Sequence, residues 1–237
     1  MRKEQKKMEN IVLNSATLGF VISLLAYEIG LAVQKKWKLP ILNPLLISIL
    51  LVIGVLVFFH VDYDSYNASA QYLSYLLTPA TVCLAIPLYI QLDVLKKNIV
   101  AIMTGILSGV LASLGSVFAM AMAFGLTHKE YVTLLPKSIT TAIGMGVSEE
   151  LGGYVTISVA TIIITGVLGN IAAESVCKLF RIRHAVSKGL AIGTAAHAVG
   201  TAKAMEMGEI EGAMSSLAIV VCGLCTVAGA SVFANFM

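Results

Sequence analysis

The chain has 237 residues, of which 58% are hydrophobic and 12% charged, and its formal net charge is +3. Its mean hydropathy is +0.90. A soluble domain carries about a quarter of its residues as charges, so these values exclude an ordinary soluble fold. The cations are scattered over short loops, which argues against nucleic-acid binding and leaves no room for a soluble domain.

In chain order, the first feature is a basic tail over residues 1–11, "MRKEQKKMENI". The apolar run behind it, Val12–Val33, is too long for a signal-peptide core and has no small-residue cleavage site, so it reads as a retained first helix. Further apolar segments follow at Ile41–Phe59, Leu73–Leu92, Ile99–Phe124, Tyr154–Phe180, Leu190–Met205 and Met214–Phe236. A bilayer core takes about 20 apolar helical residues per crossing, and each of these segments reads as a span. Tyr131–Val147 is shorter and more polar, and fits either an eighth crossing or a re-entrant segment. Lipid requires backbone polar groups to be satisfied internally. The expected fold is therefore an all-α polytopic helical bundle with about seven or eight hydrophobic segments, in one integral membrane domain over residues 1–237.

The positive-inside rule puts Lys35, Lys36 and Lys38, then Lys96 and Lys97, then Lys178, Arg181, Arg183 and Lys188 in the cytoplasm. This requires that Tyr131–Val147 not cross fully. It also puts the acidic stretch Lys203–Glu211 outside, and it conflicts with the basic N-terminal tail. Four cysteines are present. Cys222 and Cys225 lie in an apolar helix and read as small packing residues rather than a redox or metal pair. No metal or cofactor site is expected.

At an offset of 113 residues, "ATVCLAIP" (Ala80–Pro87) aligns with "GTAAHAVG" (Gly193–Gly200). Thr81 meets Thr194, and Pro87 meets Gly200. The implied repeat units are residues 12–124 and 130–237. Pro79, Pro87, Gly193 and Gly200 are expected helix breaks. Secondary transporters place substrate at such interrupted helices near the midplane, where freed backbone groups meet protein, water or ligand.

Two stretches carry the candidate chemistry. In "LLPKSITTAIGMGVSEELGG" (Leu134–Gly153), Lys137, Ser138, Thr140 and Thr141 follow Pro136 around the first turn of a helix. A charge at membrane depth is costly and faces a cavity or partner. Here it is read either as an organic-anion site or as a lysine reaching to the headgroups. In "GLAIGTAAHAVGTAKAMEMGEIEG" (Gly189–Gly212), His197 is the histidine nearest mid-span, among small residues that permit close approach. It is the proton-coupling candidate, against the reading of a packed core histidine. Thr81, Thr194 and Thr201 complete the expected substrate-binding set. Glu28 and Glu174 read as interfacial or packed carboxylates. No paired carboxylates, metal-ligand spacing or nucleophile–base pair stands out, so no enzyme activity is expected.

"LNPLL" (Leu42–Leu46), "YDSY" (Tyr63–Tyr66), "LLTPATVCLAIPLY" (Leu76–Tyr89), "PKSITTAIGMGVSEELGG" and "GTAAHAVGTAKAMEMGEIEGA" resemble the signature blocks of the LrgB/CidB family, over about Leu42–Ala230. The resemblance implies an integral protein of the bacterial cytoplasmic (inner) membrane, a homo-oligomer, that works with a small LrgA/CidA-type membrane protein. It also implies an antiholin-like influence on murein hydrolase activity and cell lysis. A related plastid protein carries glycolate and glycerate, and bacterial pairs are linked to pyruvate. The expected function is thus passage of a small carboxylate, coupled to an ion, with antiholin-like regulation as the alternative.

Overall fold

The computed structural model describes residues 17–37, 42–83 and 85–237. Every described element is helical. In chain order they are α1 (Leu18–Trp37), α2 (Pro44–Phe59), α3 (Tyr63–Ala70), a 3-10 turn (Gln71–Leu76), α4 (Leu77–Cys83), α5 (Ala85–Ile90), α6 (Leu92–Phe124), α7 (His128–Leu134), α8 (Thr141–Glu150), α9 (Val155–Leu179), α10 (Ala185–Met207) and α11 (Glu209–Phe233), with a closing 3-10 turn (Ala234–Phe236). Four of the described helical stretches are long and apolar enough to cross a membrane: Leu18–Trp37, Leu92–Phe124, Val155–Leu179 and Glu209–Phe236. The basic tail over 1–11 lies outside the described residues, as does the start of the first expected span.

The chain divides into two compact units, 1–82 and 83–237. In the first, α1 packs on α2 and α3 through glycines. Gly30 lies on the Pro44 backbone, and the Gly19 amide donates to Ser69 Oγ at 2.8 Å. Asn43 caps α2, accepting from the Leu45 and Leu46 amides, with Pro44 at the first helical position. This satisfies donors that would otherwise be orphaned at a helix start. The expected span Leu73–Leu92 is instead a series of short helices. Pro79 is the third residue of α4 and Pro87 the third of α5. Each proline lies in a first turn, where its missing N–H costs no intrahelical bond.

In the second unit, α6, α9 and α11 are the long spans. Large side chains such as Leu111, Leu168 and Leu224 remain exposed on them, as a lipid-facing surface requires. α6 and α11 run in the same direction, since Leu190 and Thr194 contact α6 at Gly105 and Gly109 while Leu114, further on, contacts Gly229 of α11.

The two segments between these spans fold back on themselves. The first is α7–α8. Thr133 of α7 and Ser148 of α8 both meet Ser158 near the start of α9: Ser158 Oγ lies 2.7 Å from the Thr133 carbonyl and 2.7 Å from Ser148 Oγ. Tyr131 Oη donates to the Phe233 carbonyl at 2.9 Å, which fixes the open end of this hairpin at the C-terminal end of α11. Tyr131–Val147 is thus re-entrant.

The second is α10, which the sequence reads as the span Leu190–Met205. It does not cross. Its backbone leaves helical geometry at Ala196 (φ −128°, ψ 15°) and His197 (φ 42°, ψ −138°), and the chain then doubles back. Gly200 abuts the Ile192 carbonyl, although eight residues along a straight helix cover about 12 Å. Gly189 and Met205 both abut the start of α11, at Glu211 and Gly212; on a straight helix they would be roughly 24 Å apart. Lys203, expected outside, therefore returns to the same end as Lys178, pairing with Glu174 at 2.8 Å. The physical reason is the small-residue composition. Gly193 permits contact with Ser215 of α11, and Gly200 permits contact between the two arms.

Within the second unit, span α6 with hairpin α7–α8 and span α9 with hairpin α10 run in opposite directions. The hairpins enter from opposite ends of α11.

Candidate functional site

The two hairpin tips converge on the middle of the same three spans. On α6, Ser113 is reached from the α7–α8 tip, and Gly109, one turn earlier, receives Thr194 from the α10 tip. On α9, the Ile162 side chain packs on Gly144 of α8 while its carbonyl accepts from His197. On α11, Ile143 of α8 lies on Gly223, and Cys222 Sγ donates to the Thr194 carbonyl at 3.8 Å. From Glu211 to Cys222 a helix rises about 16 Å, roughly half of a ~30 Å hydrocarbon core.

The α7–α8 tip carries the charge. Lys137 Nζ donates to Ser138 Oγ at 3.0 Å and to Ser113 Oγ at 3.4 Å, and Ser113 Oγ donates to Ser138 Oγ at 3.0 Å. Ser138 is buried and Lys137 half-buried. Among the described residues no carboxylate pairs with Lys137. Thr140 is the N-cap of α8 and Thr141 its first residue, both half-buried.

The α10 tip carries opened backbone. Three of its carbonyls are met by side chains of different origin. Thr194 takes Cys222, His197 takes its own helix's Thr201 Oγ1 at 2.9 Å, and Val199 takes Asn170 Nδ2 at 2.7 Å. Low-dielectric surroundings make an unmet carbonyl costly, so these side chains hold the break open. His197 is buried. Its Nε2 lies 3.0 Å from the Ile162 carbonyl, and because a carbonyl only accepts, Nε2 carries the proton. The ring fits because Gly166 of α9 has no side chain to displace it, and Gly169 likewise admits Ala196. Thr201 Oγ1 also lies 2.7 Å from Ser215 Oγ. Thr194 Oγ1 is buried and has no hydrogen-bond partner among the described residues.

Of the residues singled out from sequence, Lys137, Ser138, Thr194, His197 and Thr201 lie at the two tips, with Thr140 and Thr141 opening α8 beside Lys137. Gly193 and Gly200 flank the break, which itself falls at Ala196–His197. Pro79 and Pro87 lie in α4 and α5, and α5 packs on α11; the Thr81 side chain lies outside the described residues. Sequence reasoning missed Ser113, Asn170 and Cys222. Ser113 is one of several hydroxyl residues on α6, with Thr104, Ser108 and Ser116, and Asn170 shares α9 with Ser158, Thr161 and Thr165, so nothing local in the sequence set either apart.

The LrgB-like family model matches residues 23–236, nearly the whole described chain. The chain belongs to the LrgB-like family. It is 39% identical over 205 residues to the holin-like protein CidB of Staphylococcus aureus (strain N315), covering 86% of this chain and 90% of that protein. It is also 39% identical over 220 residues to the antiholin-like protein LrgB of Bacillus cereus (strain B4264), covering 92% and 96%. No solved structure matches this LrgB-like chain.

Proposed function

We propose that this LrgB-like protein shares the holin-like or antiholin-like role for which its relatives are named, and that its molecular act is the passage of a small carboxylate such as pyruvate, glycolate or glycerate. The regulatory half rests on identity to CidB and LrgB over most of the chain. In this reading a small LrgA/CidA-type membrane protein is the partner, the chain self-associates, and it resides in the bacterial cytoplasmic membrane.

The observation that carries the transport half is Lys137, a half-buried cation against the middle of spanning helix α6, with hydroxyl partners and no carboxylate partner among the described residues. A charge in that position calls for an anion. Two helix starts supply further positive potential there, that of α8 behind Lys137 and that of the second arm of α10. Ser113, Ser138 and the unpartnered Thr194 hydroxyl offer hydrogen bonds to carboxylate oxygens. Hairpins that enter from opposite ends of α11 suit alternating access around one central site.

Uptake of labelled pyruvate and glycolate into proteoliposomes, with and without the small partner, tests the reading. Lys137→Ala is expected to lower uptake to background with normal expression. Lys137→Arg, which keeps the charge in a different shape, is expected to give partial uptake. Wild-type uptake by Lys137→Ala would sink the site. No uptake of any small acid by the wild-type protein under an imposed gradient would leave only the regulatory half.

A further inference from the structure

At the end of α9 the chain turns into α10 around a cavity of about 550 Å³, remote from the hairpin tips. Lys178, Arg181, Arg183 and Lys188 line it, with Glu174 as its carboxylate. The ion pairs neutralise only part of this charge. Glu174 is shared between Lys178 at 3.5 Å and Lys203 at 2.8 Å, and Lys188 pairs with Glu211 at 3.7 Å. Arg181 and Arg183 have no carboxylate partner among the described residues.

The turn that presents them has a defined backbone. Arg181 takes a left-handed conformation, φ 54°, in which the Arg181 amide donates to the Lys178 carbonyl and the Ile182 amide to the Cys177 carbonyl. Two arginines and two lysines around one cavity bring the donors that a phosphate's oxygens take, guanidinium binding them through paired hydrogen bonds. The cavity opens at the end of a spanning helix, the depth at which lipid headgroups lie, and basic pockets there recruit anionic headgroups.

We propose that this cavity binds a phosphate group, supplied either by the headgroup of an anionic phospholipid or by free phosphate. Lys188 belongs to the first arm of α10 and Met207 ends the second, and both line the cavity. A bound phosphate therefore ties the base of the re-entrant hairpin to the end of α9.

The full-length protein in nanodiscs tests this with two arms. One measures retention of phosphatidylglycerol against phosphatidylcholine by native mass spectrometry. The other follows thermal unfolding in phosphatidylcholine nanodiscs as inorganic phosphate is titrated, with chloride as the control. Wild type is expected to retain phosphatidylglycerol selectively, to be stabilised by phosphate over chloride, or both. Arg181→Gln with Arg183→Gln is expected to weaken the effect at least tenfold. A response to lipid alone assigns the headgroup as the source, and a response to phosphate alone assigns the soluble ion. If the double variant does not fold, Arg183→Gln and Lys178→Gln, at exposed rim positions, carry the same comparison. Absence of both responses in wild type, or unchanged responses in folded variants, would overturn the proposal.

Discussion

At the residue scale, His197 has one role that its geometry gives and one that belongs only to the proposed transport cycle. Its Nε2–H is held by the Ile162 carbonyl and its φ is 42°, so it pins a strained tip; left-handed backbone at a non-glycine residue costs about 1–3 kcal/mol. In the proposed transport cycle it also titrates. With Nε2 committed, a proton adds at Nδ1, and the resulting cation favours carboxylate binding, so proton and anion each bind better when the other is present. Glutamine can still donate to Ile162 but does not titrate. His197→Gln is therefore expected to flatten uptake across about pH 5.5 to 8 while leaving the folded protein intact; profiles parallel to wild type would assign His197 to packing alone. Glu130 is a simpler titration. Its exposed carboxylate accepts from the Thr127 amide and hydroxyl, both at 2.8 Å, and these bonds hold its pKa below the usual carboxylate range. A depressed acid stabilises the fold above its unfolded value, about 4.3, and the contribution disappears as pH falls through the lower folded value. Hydrogen exchange at the start of α7 should accelerate, relative to Glu130→Gln, on acidification through that window.

At the scale of elements, the decisive feature is that α10 reverses. The residues needed for reversal were visible: Gly193, Gly200 and the small residues between them. The direction of the second arm was not, because a run of Gly, Ala and Thr is equally compatible with a straight helix packed closely against a neighbour. What selects the hairpin is the set of partners that receive the broken backbone: Asn170 on α9, Cys222 on α11, and Gly166 and Gly169 clearing space. These lie 20 or more residues away in sequence. The reversal has a direct test. Lys188 and Met207 line one cavity, whereas on a straight helix they would be roughly 28 Å apart. Lys188→Cys with Met207→Cys, in a background lacking the four native cysteines, is expected to cross-link within one chain with a short bifunctional thiol reagent. Failure to cross-link despite labelling at both positions would restore the continuous span.

For the whole molecule, the hairpins change the orientation. Because α10 returns, Lys96, Lys97, Lys178, Arg181, Arg183, Lys188 and Lys203 gather at one end of the second unit, and only Lys129 lies at the other, beside Glu130, Glu149 and Glu150. The positive-inside rule puts the rich end in the cytoplasm. Since α11 then crosses once, the C-terminus, where the Met237 carbonyl meets His128 Nδ1 at 2.7 Å, is expected on the opposite side. This reverses the placement that a spanning α10 would give. A C-terminal tag in intact spheroplasts is expected to be cleaved by external protease, while a cysteine at Arg183 stays protected from impermeant reagents. Protection of the tag would contradict the topology.

From composition and periodicity alone, the sequence determined the membrane class, the all-helical fold, the long spans near Ile99–Phe124, Tyr154–Phe180 and Met214–Phe236, and the two polar stretches of the candidate site. Those follow from local physics: lipid accepts apolar helices of a set length, and a lysine or histidine among apolar residues is conspicuous. Only the tertiary structure decided that both polar stretches are re-entrant, that they enter from opposite ends, and that Lys137 and Thr194 reach α6 one turn apart. A helix break is written locally, but the angle it takes depends on which distant side chains satisfy the carbonyls it frees.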